Sequence, residues 1–124
     1  MNSQEGLEYI RGYFDDLFVK RNIDTLDDYL DKSYFDDDIG DPSVDHIQNS
    51  KEFLQNLFSC EPAINVEVLD AKVYDAVITA YLEWYKMNSN NRETIRKGVA
   101  IFVMNGKQIV KRHTFIYQSS EKVN

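Results

Sequence analysis

Cysteine is almost absent from this chain, with Cys60 the one such residue in 124. A single thiol excludes an internal disulfide framework and suits a reducing compartment. Proline occurs twice and glycine five times, too seldom for a low-complexity chain. No apolar run approaches the ~18 residues that a membrane-spanning helix needs. The opening Met1-Asn2-Ser3-Gln4-Glu5 lacks the basic start and apolar stretch of a secretory signal. A soluble, cytoplasmic protein is expected. Basic side chains are in deficit, with 14 Lys and Arg against 21 Asp and Glu and a net charge of −7. That balance argues against nucleic acid or an anionic membrane as a partner.

What is present is a core. At 43% hydrophobic, the chain can fill one domain over residues 1–124. The charge divides along it. Residues 1–75 hold 18 acidic and 6 basic side chains, whereas residues 76–124 hold 3 and 8. An acidic first half therefore precedes a mildly basic second half.

Hydrophobic spacing changes at about residue 64. Leu7, Ile10, Phe14, Leu17 and Phe18 recur at helical intervals, predicting a helix over 4–20. Asn2 or Ser3 can cap it, and Asn22 can take the left-handed exit. Asp24 opens a short second helix through Leu26, Tyr29 and Leu30. Gly40-Asp41-Pro42 breaks the chain, and residues 43–48 read as loop. Asn49 and Glu52 form a capping-box pattern ahead of Phe53, Leu54, Leu57 and Phe58, and Pro62 ends that third helix. From Ile64 the period is two. Ile78, Ala80, Leu82 and Trp84 share one face of a long strand, with Thr79, Tyr81, Glu83 and Tyr85 on the other.

Residues 95–117 carry the strongest local signal, two alternating apolar runs about Asn105-Gly106. With those two residues as the loop, Met104 faces Lys107, Phe102 faces Ile109, and Gly98 faces His113. The opposite face pairs Ile101 with Val110 and Val99 with Arg112. Both faces are apolar at mid-length, so cover on both sides is expected. Helices followed by strands give an α+β fold: three N-terminal helices on a strongly curved antiparallel sheet of about four long strands.

The element order, the Asp41-Pro42 step, the helix opened by Asn49-Ser50-Lys51-Glu52 and the terminal hairpin resemble the nuclear-transport-factor-2-like cone superfamily. The likeness covers essentially the whole chain, and within the superfamily it is closest to the SnoaL-like and ketosteroid-isomerase-like branch. It implies an apolar pocket between helices and sheet, chemistry without cofactor or metal, and a homodimer through the sheet's outer face. In isomerases of that branch the aspartate of the Asp-Pro step shuttles a proton, and Asp41 falls there. A tyrosine on the first helix faces the pocket; Tyr13 is close to that place and Phe14 falls on it. Where the isomerases carry a second acid, this chain has Gly98, which weighs against steroid isomerisation.

The residues themselves give the following expectations. A carboxylate at the mouth of an apolar pocket suits general-base work, so Asp41 is the leading catalytic candidate, against a plain turn aspartate. Tyr13 and His113 can polarise or protonate a ligand oxygen. The hairpin leaves two faces open: His113 could line the pocket beside Gly98, or Arg112 and Thr114 could do so instead. Tyr9, Phe14, Tyr81, Trp84 and Phe102 offer aromatic lining, and His46 could join Asp41 over the mouth. The aspartates at 36–38, 41 and 45 match no compact metal motif and suit a solvated loop. The expected partner is a small hydrophobic, carbonyl-containing molecule, treated by isomerase, cyclase or dehydratase chemistry or simply bound.

Overall fold

The Asn2 side chain opens the first helix. It accepts the Glu5 N–H at 2.8 Å while the Glu5 carboxylate accepts the Asn2 N–H at 2.9 Å, a reciprocal box that pairs two otherwise orphan donors. A computed structural model describes residues 1–120. Helix α1 spans Ser3–Phe14 and runs on through a π-helical turn, Asp15–Val19. The left-handed exit falls on Arg21, with φ of 56°, rather than on Asn22. Arg21 is held there by its own guanidinium, which donates to the carbonyls of Phe18, Pro62 and Ile64 and stacks 3.8 Å from the Phe58 ring centre.

A 3-10 turn at Ile23–Thr25 and helix α2, Leu26–Tyr29, lead straight into strand β1, Leu30–Asp36. Helix α3 covers His46–Cys60. Its cap is Asp45, four residues before the Asn49 expected from sequence, because the Asp45 carboxylate accepts the N–H groups of Ile47 and Gln48, both at 3.1 Å. Four long strands follow: β2 Asn65–Tyr74, β3 Val77–Asn88, β4 Asn91–Asn105 and β5 Gln108–Ser119.

The sheet order is β1-β5-β4-β3-β2. The four long strands pair antiparallel as expected, and β1 adds a fifth, parallel edge against β5. Sequence alone hides β1 because Leu30 and Tyr34 are its only buried residues, too few for a period to show. The architecture is α+β, three helices on an open five-stranded mixed sheet.

The terminal hairpin corrects the expected register. Asn105 pairs with Gln108 instead of lying in the loop, so the loop is Gly106-Lys107, with Gly106 at φ 62° where a type II′ turn places glycine. Met104 then faces Ile109, but Val103 faces Lys111, leaving Val110 as one extra residue on β5. Such a bulge reverses which side chains point inward beyond it. Phe102 therefore faces Arg112, Ala100 faces Thr114, and Gly98 faces Ile116 rather than His113.

The core lies on the sheet's inner face. Ile78, Ala80 and Leu82 of β3, Ala100 and Phe102 of β4, and Ile109 of β5 are all fully buried against Ile10, Tyr13, Phe14 and Leu17. A large apolar side chain so buried contributes roughly 1.5–3 kcal/mol. The other face is not covered by any described helix. Val99, Ile101 and Val103 remain partly exposed there, with Tyr81 and Phe115 exposed beside them. No helix among the described residues is long and apolar enough to cross a membrane.

Candidate functional site

Three adjacent rows across the inner face set the site. Asp36, Arg112, Phe102 and Ile78 stand in register across β1, β5, β4 and β3. The next row is Thr114, Ala100 and Ala80, and the one after is Ile116, Gly98 and Leu82. Thr114, Ala100 and Ala80 in the second row and Gly98 in the third keep the sheet floor low, and α1 and α3 arch over it. The result is a cavity of about 440 Å³, well within the ~300–1,000 Å³ usual for ligand clefts. Phe14, Leu17, Phe18, Leu54, Leu57, Ile64 and Trp84 make its walls apolar, and Asn49 and Ser50 of α3 add polar atoms.

One end is charged. Arg112, Tyr13, Asp36, Asp38 and Thr114 all line it. The Arg112 guanidinium donates from Nε to Thr114 Oγ1 at 3.2 Å and lies 5.5 Å from the Phe102 ring centre. Burial disfavours its charge, but Tyr13, Tyr34, Asp36 and Asp38 outweigh that and hold its pKa above the ordinary value. Burial pushes the Tyr13 phenol up, the Asp36 charge adds to this, and Arg112 only partly opposes it. Tyr13 is therefore a neutral O–H donor at physiological pH. Beneath this end, burial raises Tyr34 as well.

The segment carrying Asp36 and Asp38 is tied to β5. The Asp37 N–H donates to the Arg112 carbonyl at 2.9 Å, and the Thr114 N–H donates to Asp38 Oδ2 at 3.0 Å. From the outer side, His113 Nδ1 lies 2.9 Å from Asp38 Oδ1. The Asp38 N–H in turn donates to Asp36 Oδ1 at 2.9 Å.

The candidates from sequence separate accordingly. Tyr13, Phe14, Trp84 and Arg112 meet at the cavity, and Phe102 lies under Arg112 as core. Gly98 has no room for a side chain: a Cβ there would stand 2.6 Å from the Phe115 carbonyl oxygen. Tyr9 sits outside, donating its hydroxyl to the Lys107 carbonyl at 2.6 Å, its pKa pushed up to about 12 by burial and then by Tyr13. Tyr81 and His113 are on the outer face.

Asp41 is not among the residues that line the cavity. It is exposed, and its Oδ1 accepts both the N–H and the hydroxyl of Ser43, at 2.9 and 2.7 Å. The Ser43 hydrogen bonds hold its carboxylate below the usual range, the opposite of what a general base near neutrality needs. Its own carbonyl serves His46 instead. His46 is buried, stacks on Phe35, and takes the Asp36 N–H at Nδ1 (3.0 Å) while Nε2 meets the Asp41 carbonyl at 2.7 Å. These two bonds require the tautomer with hydrogen on Nε2. His46 is a latch joining β1, the loop and α3.

Residues that sequence reasoning passed over are Asp36 and Asp38, taken for a solvated loop. Asp36 ends β1 and Asp38 lies in the turn that follows, so no strand period marks the pair. Arg96 also lines the cavity, in the Trp84 row. Glu83 meets Arg92 and Thr94 on the outer face and stands across the ladder from Lys97. Among the described residues no group of three or more His, Cys, Asp or Glu gathers as metal ligands.

No protein-family model matches the sequence, and no curated protein matches it. Solved structures do. A SnoaL-like polyketide cyclase from Agrobacterium tumefaciens superposes with a TM-score of 0.70 at 13% identity, over 95% of this chain and 94% of its own. An uncharacterized cystatin-fold protein from Novosphingobium aromaticivorans gives 0.67 at 14%, over 89% and 97%. The fold is the NTF2-like cone. An LEH-like epoxide hydrolase from M. tuberculosis shares it, with a TM-score of 0.61 at 11% identity over 93% of this chain and 84% of that one. At such identities the likeness concerns architecture alone.

Proposed function

We propose that this NTF2-like protein binds a small, largely apolar molecule through a carbonyl oxygen and performs acid/base chemistry beside it, of isomerase, cyclase or dehydratase type. One observation carries the reading: a guanidinium, a neutral phenol and a carboxylate converge at one end of an otherwise apolar cavity. Arg112 and Tyr13 would hydrogen-bond the oxygen and stabilise the charge that develops on it as the neighbouring carbon loses a proton. Asp36 takes the base role in place of Asp41. The site arrives with Arg112 already compensated by Asp36 and Asp38, so a neutral carbonyl suits it better than a carboxylate. The cyclase and hydrolase among the solved structures of this fold support a reactive pocket as one use of the architecture.

The test is exchange of α-protons of cyclohexanone and acetophenone into deuterium oxide, followed by NMR. Wild type should accelerate it, and Asp36→Asn and Tyr13→Phe should each lower the rate by about 10²–10⁴-fold. Exchange no faster than in buffer removes the catalytic reading. A binding module is the second reading, favoured by the engagement of Asp36 Oδ1 with the Asp38 N–H. It predicts ketone-induced thermal stabilisation that survives Asp36→Asn without exchange.

We further propose that residues 1–124 act as one domain and pair as a homodimer through the outer face. The uncovered strip of Tyr81, Val99 and Phe115, in register across β3, β4 and β5, supports this. Sedimentation of Val99→Lys tests it, a monomer being expected. A single exposed thiol, Cys60, fits the cytoplasm.

A further inference from the structure

The cavity does not end where its walls are complete. Phe53 of α3 lines it yet is 62% exposed, and Ile116 of β5 lines it while 39% exposed. Ile39, in the loop after β1, joins them at the rim. A large apolar side chain left wet beside a cavity has unused capacity to bury surface. The two sides of this rim differ in firmness. On the sheet side Gly98 seats Ile116: a Cβ on Gly98 would come within 2.9 Å of Ile116 Cδ1 and 3.2 Å of Trp84 Cζ3. Those side chains occupy the space the glycine leaves, so Ile116 forms a fixed wall. On the other side, α3 buries only His46 and Leu54. Its start is latched by His46, and Lys51 ties its next turn to Asp27 at 2.8 Å and Asp24 at 3.5 Å. Phe53 follows on the same helix with most of its side chain in solvent.

We propose that Phe53 is a chain-length selector: the occupant is longer than the enclosed cavity, and an apolar portion leaves it between α3 and β5, where Phe53 and Ile116 close on it. The substrate class is a neutral ketone carrying an extended alkyl or alkyl-like chain, with its oxygen at Arg112 and Tyr13 and its tail across the rim. This rests on the carbonyl reading above and adds to it a direction, a length requirement and a residue that sets specificity.

The probe is a series of methyl ketones with butyl to decyl chains, titrated by calorimetry against wild type, Phe53→Ser and Phe53→Leu. The readout is the gain in affinity per added methylene, not the affinity of any one ketone. For wild type this gain should be about fourfold per methylene and persist to the longest chains. For Phe53→Ser it should persist over the shorter chains and fall below about twofold once the tail reaches the rim, and Phe53→Leu should restore it. Equal increments in wild type and Phe53→Ser overturn the proposal, as does a wild-type gain that stops at short chains. Absence of binding by every ketone sinks the carbonyl reading first and this inference with it, so the two failures are distinguishable.

Discussion

Arg112 stands across the β4–β5 ladder from Phe102, and across the β1–β5 ladder from Asp36. Its cation is thus placed between an aromatic face and a carboxylate, two environments that each favour a guanidinium. The placement depends on one extra residue. Were Val110 paired normally, Lys111 and His113 would turn inward and Arg112 outward, toward solvent.

Replacing Arg112 by Met keeps the packing on Phe102 but takes the guanidinium charge away from Asp36 and Asp38. A loss of about 1–3 kcal/mol in unfolding free energy is expected, read from urea midpoints. Ketone-induced stabilisation should vanish in the same variant. A fully stable Arg112→Met protein that still responds to ketones would remove Arg112 from the site.

Gly98→Ala tests the close approach of β5. The new Cβ would meet the Phe115 carbonyl oxygen at 2.6 Å, backbone that cannot move without disturbing the ladder. Overpacking of this kind costs about 1–3 kcal/mol. Chemical denaturation should show it, together with weaker ligand binding as Ile116 is displaced.

The proposed chemistry gives Asp36, which lines the cavity, the base role that the sequence suggests for Asp41. Asp41→Asn should leave ketone exchange within about twofold of wild type, whereas Asp36→Asn should lower it by about 10²–10⁴-fold. The two variants assayed side by side in deuterium oxide decide the matter. A rate that follows Asp41 instead would restore the Asp-Pro aspartate as the base.

Glu83 shapes the acid limb of stability. The Thr94 hydrogen bond holds its carboxylate below the ordinary value of 4.5, burial works against this, and Arg92 adds to the lowering. A folded pKa below the unfolded one means that the unfolded chain binds the proton more readily. The stabilisation is therefore present above pH 4.5 and lost as pH falls through the depressed value. Urea midpoints followed downward from neutral pH should drop more steeply for wild type than for Glu83→Gln. Parallel curves would remove Glu83 from the acid response.

Much of the architecture was legible in the order of residues. The first helix and its Asn2 cap, the four long strands, and the inward set Ile78, Ala80, Leu82 and Trp84 all follow from spacing. In each case many residues of one period agree, so no single exception can reverse the outcome. The site was less legible. Tyr13, Phe14, Trp84 and Arg112 were among the candidates, but so were Tyr9, Tyr81 and His113, which the sheet sends elsewhere. Asp41 looked catalytic because a carboxylate before proline near a pocket has that chemistry available. The Ser43 hydroxyl two residues on claims it instead.

By itself the sequence determined where helix gives way to strand and which faces carry apolar side chains, since local periodicity and caps act over a few residues. Only the tertiary structure decided that Arg112, and not His113, looks into the cavity. That choice turns on the Val110 bulge, set by pairing within the terminal hairpin, and on the parallel edge supplied by β1, which joins segments far apart in the chain. A one-residue slip costs little locally, yet it reassigns every side chain beyond it.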